Sequence, residues 1–147
     1  MGTVRDILQV KGHVVYSIQP DCTVFEALSV LVDKNIGALV VLEKDNEKVL
    51  GIFSERDYAR RVIVKGRASK ETLIREIMTE NPFTVNENDT IESCMVKMTD
   101  KHIRHLPVTD NYNRLVGMIS IGDVVKHIID EQQYIINNLE GYIKGTR

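Results

Sequence analysis

Arg104-His105-Leu106-Pro107-Val108, followed by Gly117-Met118-Ile119-Ser120-Ile121-Gly122-Asp123, sets the pattern by which the rest of the chain can be read. Its earlier counterpart is Gly37-Ala38-Leu39-Val40-Val41, followed by Gly51-Ile52-Phe53-Ser54-Glu55-Arg56-Asp57. Each reads as a short apolar strand, a polar turn, a second apolar strand and a Ser-x-x-Asp that opens a helix. Gly51 and Gly117 lie 66 residues apart, and so do Asp57 and Asp123. A strand that twice ends in Ser-x-x-Asp predicts two copies of one unit and of one site.

Upstream of the turns the offset is 67, as in Tyr16/Phe83, Thr23/Thr90, Ile36/Ile103 and Leu39/Leu106. The offset falls to 66 beyond the turn because the Glu43–Lys48 loop is one residue longer than its counterpart, a place where a length change costs least. Thr3–Leu8 and Leu73–Met78 match as short helical turns that introduce the copies. Val14–Ile18 and Phe83–Val85 read as extended segments. Thr23-x-x-Glu26 is a capping box, after which Val24, Ala27, Leu28, Leu31 and Val32 share one predicted helical face. Ile91, Cys94, Met95 and Met98 do the same in the second copy. Turns at Asp45-Asn46-Glu47 and Asp110-Asn111-Tyr112-Asn113 join Ala38–Leu42 to Val49–Phe53 and Leu106–Val108 to Leu115–Ile119. Pro107 lacks a backbone donor, which places it at a sheet edge or a break in pairing.

One copy is therefore β-α-β-β-α on about 60 residues, close to the size at which a lone core is marginal. The expected class is α+β (mixed α/β), with repeats at 1–68 and 69–147 packed sheet to sheet about a pseudo-twofold axis. The charged stretch Lys65-Gly66-Arg67-Ala68-Ser69-Lys70 marks the boundary between them. Beyond Asp123, Val125, Ile128, Ile135, Leu139 and Tyr142 keep helical spacing as far as Gly145. This predicts a C-terminal helix extension too apolar on one face to stand unpartnered in water, and its face is expected against the first repeat or a second subunit.

Composition narrows the function. Apolar content of 43% with only three prolines in 147 residues indicates a folded globular chain. A net charge of -2 leaves no electrostatic footprint for nucleic acid or anionic lipid. The longest apolar run, Ala38–Leu42, is far short of the roughly 20 residues of a membrane span. The N-terminus has no apolar signal core, so the cytoplasm is the expected location, with Cys22 and Cys94 as reduced thiols. Gly2 is not a myristoylation site, because Asp6 stands where Ser or Thr is needed. His102-x-x-His105 has no third ligand at useful spacing, so no metal is expected. Arg60, Arg61, Lys65 and Arg67 read as a solvated helix face. Walker A, GxGxxG, GxSxG and HExxH patterns are all missing, and no catalytic residue is assigned.

Ser54-x-x-Asp57 and Ser120-x-x-Asp123 admit two readings. As structure, the serine caps a helix and the acid answers its N-terminal dipole. As a site, free N–H groups at a helix start suit phosphate or ribose oxygens, and a neighbouring carboxylate can accept ribose hydroxyls. Two instances at matched spacing favour a site.

Here the paired pattern resembles a tandem cystathionine-β-synthase (CBS) domain pair, the Bateman module, over essentially the whole chain. The resemblance rests on Asn35–Val41 with Gly51–Asp57, and on Ile103–Val108 with Gly117–Asp123. It implies that Ser54, Asp57, Ser120 and Asp123 hold the ribose of an adenine nucleotide, and that Arg104 and His105 approach its phosphate. Backbone near the first strands (Ser17, Ile18, Thr84 and Val85) is implied to frame the adenine. Gly37, Ala38, Leu106, Pro107 and Arg56 complete the implied site. The resemblance further implies AMP, ATP or NAD as ligand, a homodimer, and a regulatory rather than catalytic role toward an unidentified partner protein. A nucleotide-acting enzyme and a ligand-free dimeric scaffold are the rival readings. The second site is expected to be the more basic, having Arg104-His105 where the first has Gly37-Ala38. The first carries Arg56 where the second has Gly122.

Overall fold

The computed structural model describes residues 2–44 and 47–143. Asp45 and Asn46 of the first predicted turn, and Gly145 as helix stop, lie outside the described residues. The chain runs α1 (Val4–Lys11), β1 (Ser17–Ile18), α2 (Val24–Lys34), β2 (Ala38–Leu42), β3 (Val49–Ser54) and α3 (Glu55–Tyr58). A π-helical turn, Ala59–Ile63, continues α3. Then come α4 (Ile74–Ile77), β4 (Thr79–Glu80), α5 (Ile91–Lys101), β5 (His105–Thr109), β6 (Leu115–Ser120) and α6 (Ile121–Ile143).

The caps fall where the side chains dictate. Thr23 Oγ1 accepts the Glu26 N–H at 3.2 Å, and the Glu26 carboxylate accepts the Thr23 N–H, closing the capping box on α2. Both α2 and α5 end on a left-handed residue, Asn35 and His102, which are equivalent in the two copies. His102 thus has a backbone role as a helix C-cap.

Within each repeat the long strands form an antiparallel hairpin, Ala38 facing Ser54 and His105 facing Ser120. The first hairpin gains β1 in parallel on one side, with Ser17 opposite Val40, and β4 on the other. Among the described residues the second hairpin has a single parallel bridge in place of β1, Val85 with Val108. Pro107 accounts for the difference on the side of the first strand. In the first repeat the Val40 N–H donates to the Tyr16 carbonyl at 3.4 Å. The equivalent of Val40 is Pro107, which has no N–H to give, so the ladder shortens there.

One expectation is corrected by the packing. The helical turns at Thr3–Leu8 and Leu73–Met78 do not each introduce their own repeat, because they are exchanged. Val4, Ile7 and Leu8 of α1 are buried with Val85, Ile91, Cys94, Met98, Leu106, Val108, Ile119 and Val124 of the second repeat. Ile74 and Ile77 of α4 are buried with Ile18, Val24, Ala27, Leu31, Leu39, Val41, Phe53 and Val62 of the first. Backbone bonds hold the exchange symmetrically. The Val4 N–H donates to the Asp89 carbonyl and the Ile91 N–H to Gly2; the Ile74 N–H donates to Cys22 and the Val24 N–H to Thr72. A bridge between Lys48 and Arg114, themselves equivalent positions, lies where a twofold relation puts it.

Three smaller corrections follow from the same geometry. Val32 is 81% exposed, so it lies off the buried face of α2. Arg61 is not a merely solvated charge, because its guanidinium donates to the Ile77 and Met78 carbonyls at the end of α4. Along α6, Val124 is buried and Ile128 packs on the second core, but Ile135, Leu139 and Tyr142 are 44%, 57% and 69% exposed. The first repeat of the same chain therefore does not cover that face. Among the described residues no helix is long and apolar enough to cross a membrane.

Candidate functional site

Each Ser-x-x-Asp sits where a core strand becomes a helix. Leu39, Val41 and Phe53 point into the first core, so strand alternation turns Ala38, Val40, Ile52 and Ser54 to the other face, beside Ser17. Leu106, Val108 and Ile119 point into the second core, which turns His105, Pro107, Met118 and Ser120 outward in the same way. These outward faces meet. A methyl group built on Gly37 would stand 3.4 Å from His105 Cε1 and 3.5 Å from a Glu55 carboxylate oxygen.

At the first motif, Asp57 Oδ2 accepts the Ser54 N–H at 2.9 Å and the Ser54 hydroxyl at 3.1 Å. Its other oxygen, Oδ1, accepts the Thr79 hydroxyl at 3.0 Å. Asp57 is only 9% exposed, a buried carboxylate with both oxygens engaged by the protein.

The second motif is built differently. Asp123 Oδ2 accepts the Ser120 N–H at 2.8 Å and the Lys11 ammonium at 2.6 Å. Lys11 also donates to the Met118 carbonyl at 2.7 Å. No described residue donates to Asp123 Oδ1. Burial pushes the Asp123 carboxyl up, but the Lys11 ammonium and the Ser120 N–H outweigh it and hold the group below its ordinary value. Burial drives the neighbouring His105 the other way, below the ordinary imidazole value. Lys11 and Arg104 add to that, and Asp123 and Glu55 oppose it.

The expected residues fall into three groups. Ser54, Asp57, Ser120, Asp123, Gly37, Ala38, Ser17, His105 and Pro107 lie on the meeting faces or at the helix starts beside them. Ile18, Val85 and Leu106 have their side chains in the cores, and at Val85 both backbone groups are engaged as well, by the Pro107 carbonyl and the Thr109 N–H. Backbone is already spoken for at Thr84, whose carbonyl accepts Lys97 Nζ, and at Pro107 and Arg104, whose carbonyls accept the Val85 and Ile121 N–H groups. Arg56 donates to the His102 carbonyl at the end of α5, a cation at a helix C-terminus. Arg104 is exposed.

Lys11 and Thr79 are site residues that the sequence did not suggest. Lys11 stands 112 positions from Asp123, and Thr79 stands 22 from Asp57. Each arrives on the segment that crosses to the other repeat, which no local pattern reveals. Among the described residues no cluster of His, Cys, Asp and Glu could hold a metal ion. A polar depression of about 220 Å³ lined by Arg5, Asn86, Glu87, Asn88 and Asp110 contains none of the expected residues.

The family model of the CBS domain matches residues 4–64 and again 74–130. The chain belongs to the CBS domain family. It is 38% identical over 150 residues to the CBS domain-containing protein CBSX3, mitochondrial, of Arabidopsis thaliana, covering 97% of this chain and 72% of that protein. Among solved structures, a CBS-domain-containing protein from Agrobacterium tumefaciens superposes with a TM-score of 0.79 at 43% identity, covering 84% of this chain and 91% of that one. The CBS domain pair of protein MJ0100, solved with 5'-methylthioadenosine and S-adenosyl-L-methionine, has a TM-score of 0.78 at 26% identity. There the coverage is 89% of this chain and 98% of the other. The tandem pair and its mixed α/β fold are thus shared with these proteins, and the C-terminal helix is present here as α6.

Proposed function

We propose that residues 1–68 and 69–147 act as one regulatory module that binds an adenine nucleotide where the two repeats meet. The observation that carries this reading is the pair of helix starts at Ser54 and Ser120, each with a carboxylate hydrogen-bonded to its serine. The positive end of a helix and an acid beside it together suit the phosphate and ribose of a nucleotide, and the Arg56 and Gly122 N–H groups lie between the Glu55, Asp57, Ile121 and Asp123 N–H groups that donate within the protein. The adenosine compounds held by the MJ0100 pair support the ligand class. AMP, ATP and NAD are the ligands of this reading, with Ser54, Asp57, Ser120 and Asp123 toward ribose and Arg104 and His105 toward phosphate.

The module is a sensor rather than an enzyme, and it works as a homodimer on a separate regulated protein. A ligand can drive such a signal only by binding two arrangements of the module with different affinity. The exposed apolar face of α6 supports a dimer, because Ile135, Leu139 and Tyr142 are the residues that a second copy would cover. In this reading the protein is cytoplasmic, where its two free thiols stay reduced.

The decisive measurement is a thermal melt with AMP, ADP, ATP, NAD and S-adenosylmethionine. A ligand at 100 times its dissociation constant stabilises by about 2.7 kcal/mol. A melt unmoved by all five favours the scaffold reading, which the fully satisfied Asp57 supports at the first site. Nucleotide turnover that disappears in Asp57→Ala or Asp123→Ala would make the chain an enzyme.

A further inference from the structure

Lys11 belongs by sequence to the first repeat, yet its ammonium sits on the second repeat's Asp123 and on the Met118 carbonyl beside it. An ammonium has three donors, and these two bonds leave one uncommitted. Its charge and that of Arg104 both act on His105, and so does the charge of Asp123. One cation, Lys11, is therefore fixed on the carboxylate of the second motif, with the imidazole of His105 within reach of the same charges.

Nothing similar surrounds the first. In the correspondence of Thr3–Leu8 with Leu73–Met78, the position of Lys11 is held by Asn81, and Gly37 and Ala38 replace Arg104 and His105. Asp57 is met instead by the neutral hydroxyl of Thr79. A phosphate brought to the first motif meets an uncompensated carboxylate, whereas at the second the carboxylate is already neutralised.

We propose that Lys11 is a specificity-determining residue of the second site. It cancels the charge of Asp123 and offers its remaining N–H to the anionic end of a nucleoside monophosphate. The inference rests on the nucleotide-binding reading above. Asp123 Oδ1, which no described residue engages, stays available to a hydroxyl while Lys11 holds Oδ2. The repeat exchange then has a binding consequence, because the charge that selects the second site's ligand arrives on the helix that opens the first repeat.

The test is calorimetric titration of the full chain with AMP and with adenosine, which differ only in the phosphate. Wild type is expected to prefer AMP at one of its sites. Lys11→Met and Lys11→Gln should reduce that preference for AMP over adenosine tenfold or more, and Lys11→Arg, which keeps the charge, should retain it. Lys11→Gln keeps a polar end against Asp123 and Met118, so it serves if the methionine variant does not fold. A wild type that binds both ligands, with an unchanged AMP-to-adenosine ratio in Lys11→Gln, overturns this inference alone. A wild type that binds neither overturns the nucleotide reading with it.

Discussion

Leu8 occupies the space that a side chain at residue 117 would need: a methyl group on Gly117 would stand 2.9 Å from Leu8 Cδ2. Met78, which matches Leu8 in the other exchanged segment, stands in the same relation to Gly51. There the methyl group would meet Met78 Sδ at 2.9 Å and the Thr79 carbonyl oxygen at 2.7 Å. These two glycines open each return strand so that the exchanged segment can cross it closely. Overpacking of this kind costs about 1–3 kcal/mol. A side-chain end can shift and a paired backbone carbonyl cannot, so Gly51→Ala should destabilise more than Gly117→Ala in urea unfolding. Equal, negligible losses would show that the crossing is looser than its geometry.

The two aspartates should separate in the same experiment. Asp57→Ala leaves the Ser54 N–H and the Thr79 hydroxyl without their acceptor in a buried place, at a cost of about 1–3 kcal/mol. Asp123 is more exposed, and its loss should cost the cap, about 0.5–2 kcal/mol, together with the partly exposed Lys11 contact. For nucleotide affinity the expectation is a drop of about tenfold or more at the altered site, from one charged hydrogen bond. Unfolding without any loss of affinity in the surviving fold would reduce both motifs to caps.

His105 predicts a pH dependence. Its folded value lies below the ordinary 6.5, because burial and the Lys11 charge disfavour the imidazolium. Between 6.5 and that lower value the unfolded chain binds more protons than the folded one, so stability falls as pH falls. The contribution is whole above pH 6.5 and is lost on passing down through the folded value. Its slope is at most about 1.4 kcal/mol per pH unit. Unfolding curves from pH 7.5 to 5 should be steeper in pH for wild type than for His105→Ala. Parallel profiles would assign the dependence to another group.

Cutting the chain after Glu131 removes Ile135, Leu139 and Tyr142 from the exposed face of α6 while sparing Val124 and Ile128. Sedimentation velocity should then show a smaller dimer fraction with the fold retained. An undiminished dimer in the shortened chain would place the subunit contact elsewhere.

Much of this was legible in the residues, and the reasons are local. Thr23-x-x-Glu26 caps α2, the hairpins carry their apolar alternation, and each Ser-x-x-Asp opens a helix. Each of those features is settled within a few residues of chain. The exchange was not legible, because the apolar positions of Thr3–Leu8 state only that a face is buried, not in which copy. Two similar cores accept either helix by composition. Lys11 and Thr79 were invisible for that reason, since their roles depend on the exchange. Val32 shows a smaller failure: an apolar residue at permitted spacing can still lie one position beyond the covered arc of a helix.

Exchanged helices also impose an order on synthesis. Val4 leaves the ribosome well before its partners, which run from Val85 to Val124. At the usual 5–20 residues per second, the first helix waits roughly 4–16 s before the earliest of them exists. Through that interval the first repeat also lacks Ile74 and Ile77, which come from the linker into the second. A nascent chain halted near residue 70 therefore carries an open core and an unclaimed amphipathic helix, which suit each other poorly but would suit a neighbouring nascent chain well. On a crowded polysome the hazard is intertwining between chains, and rapid completion of the second repeat is what guards against it.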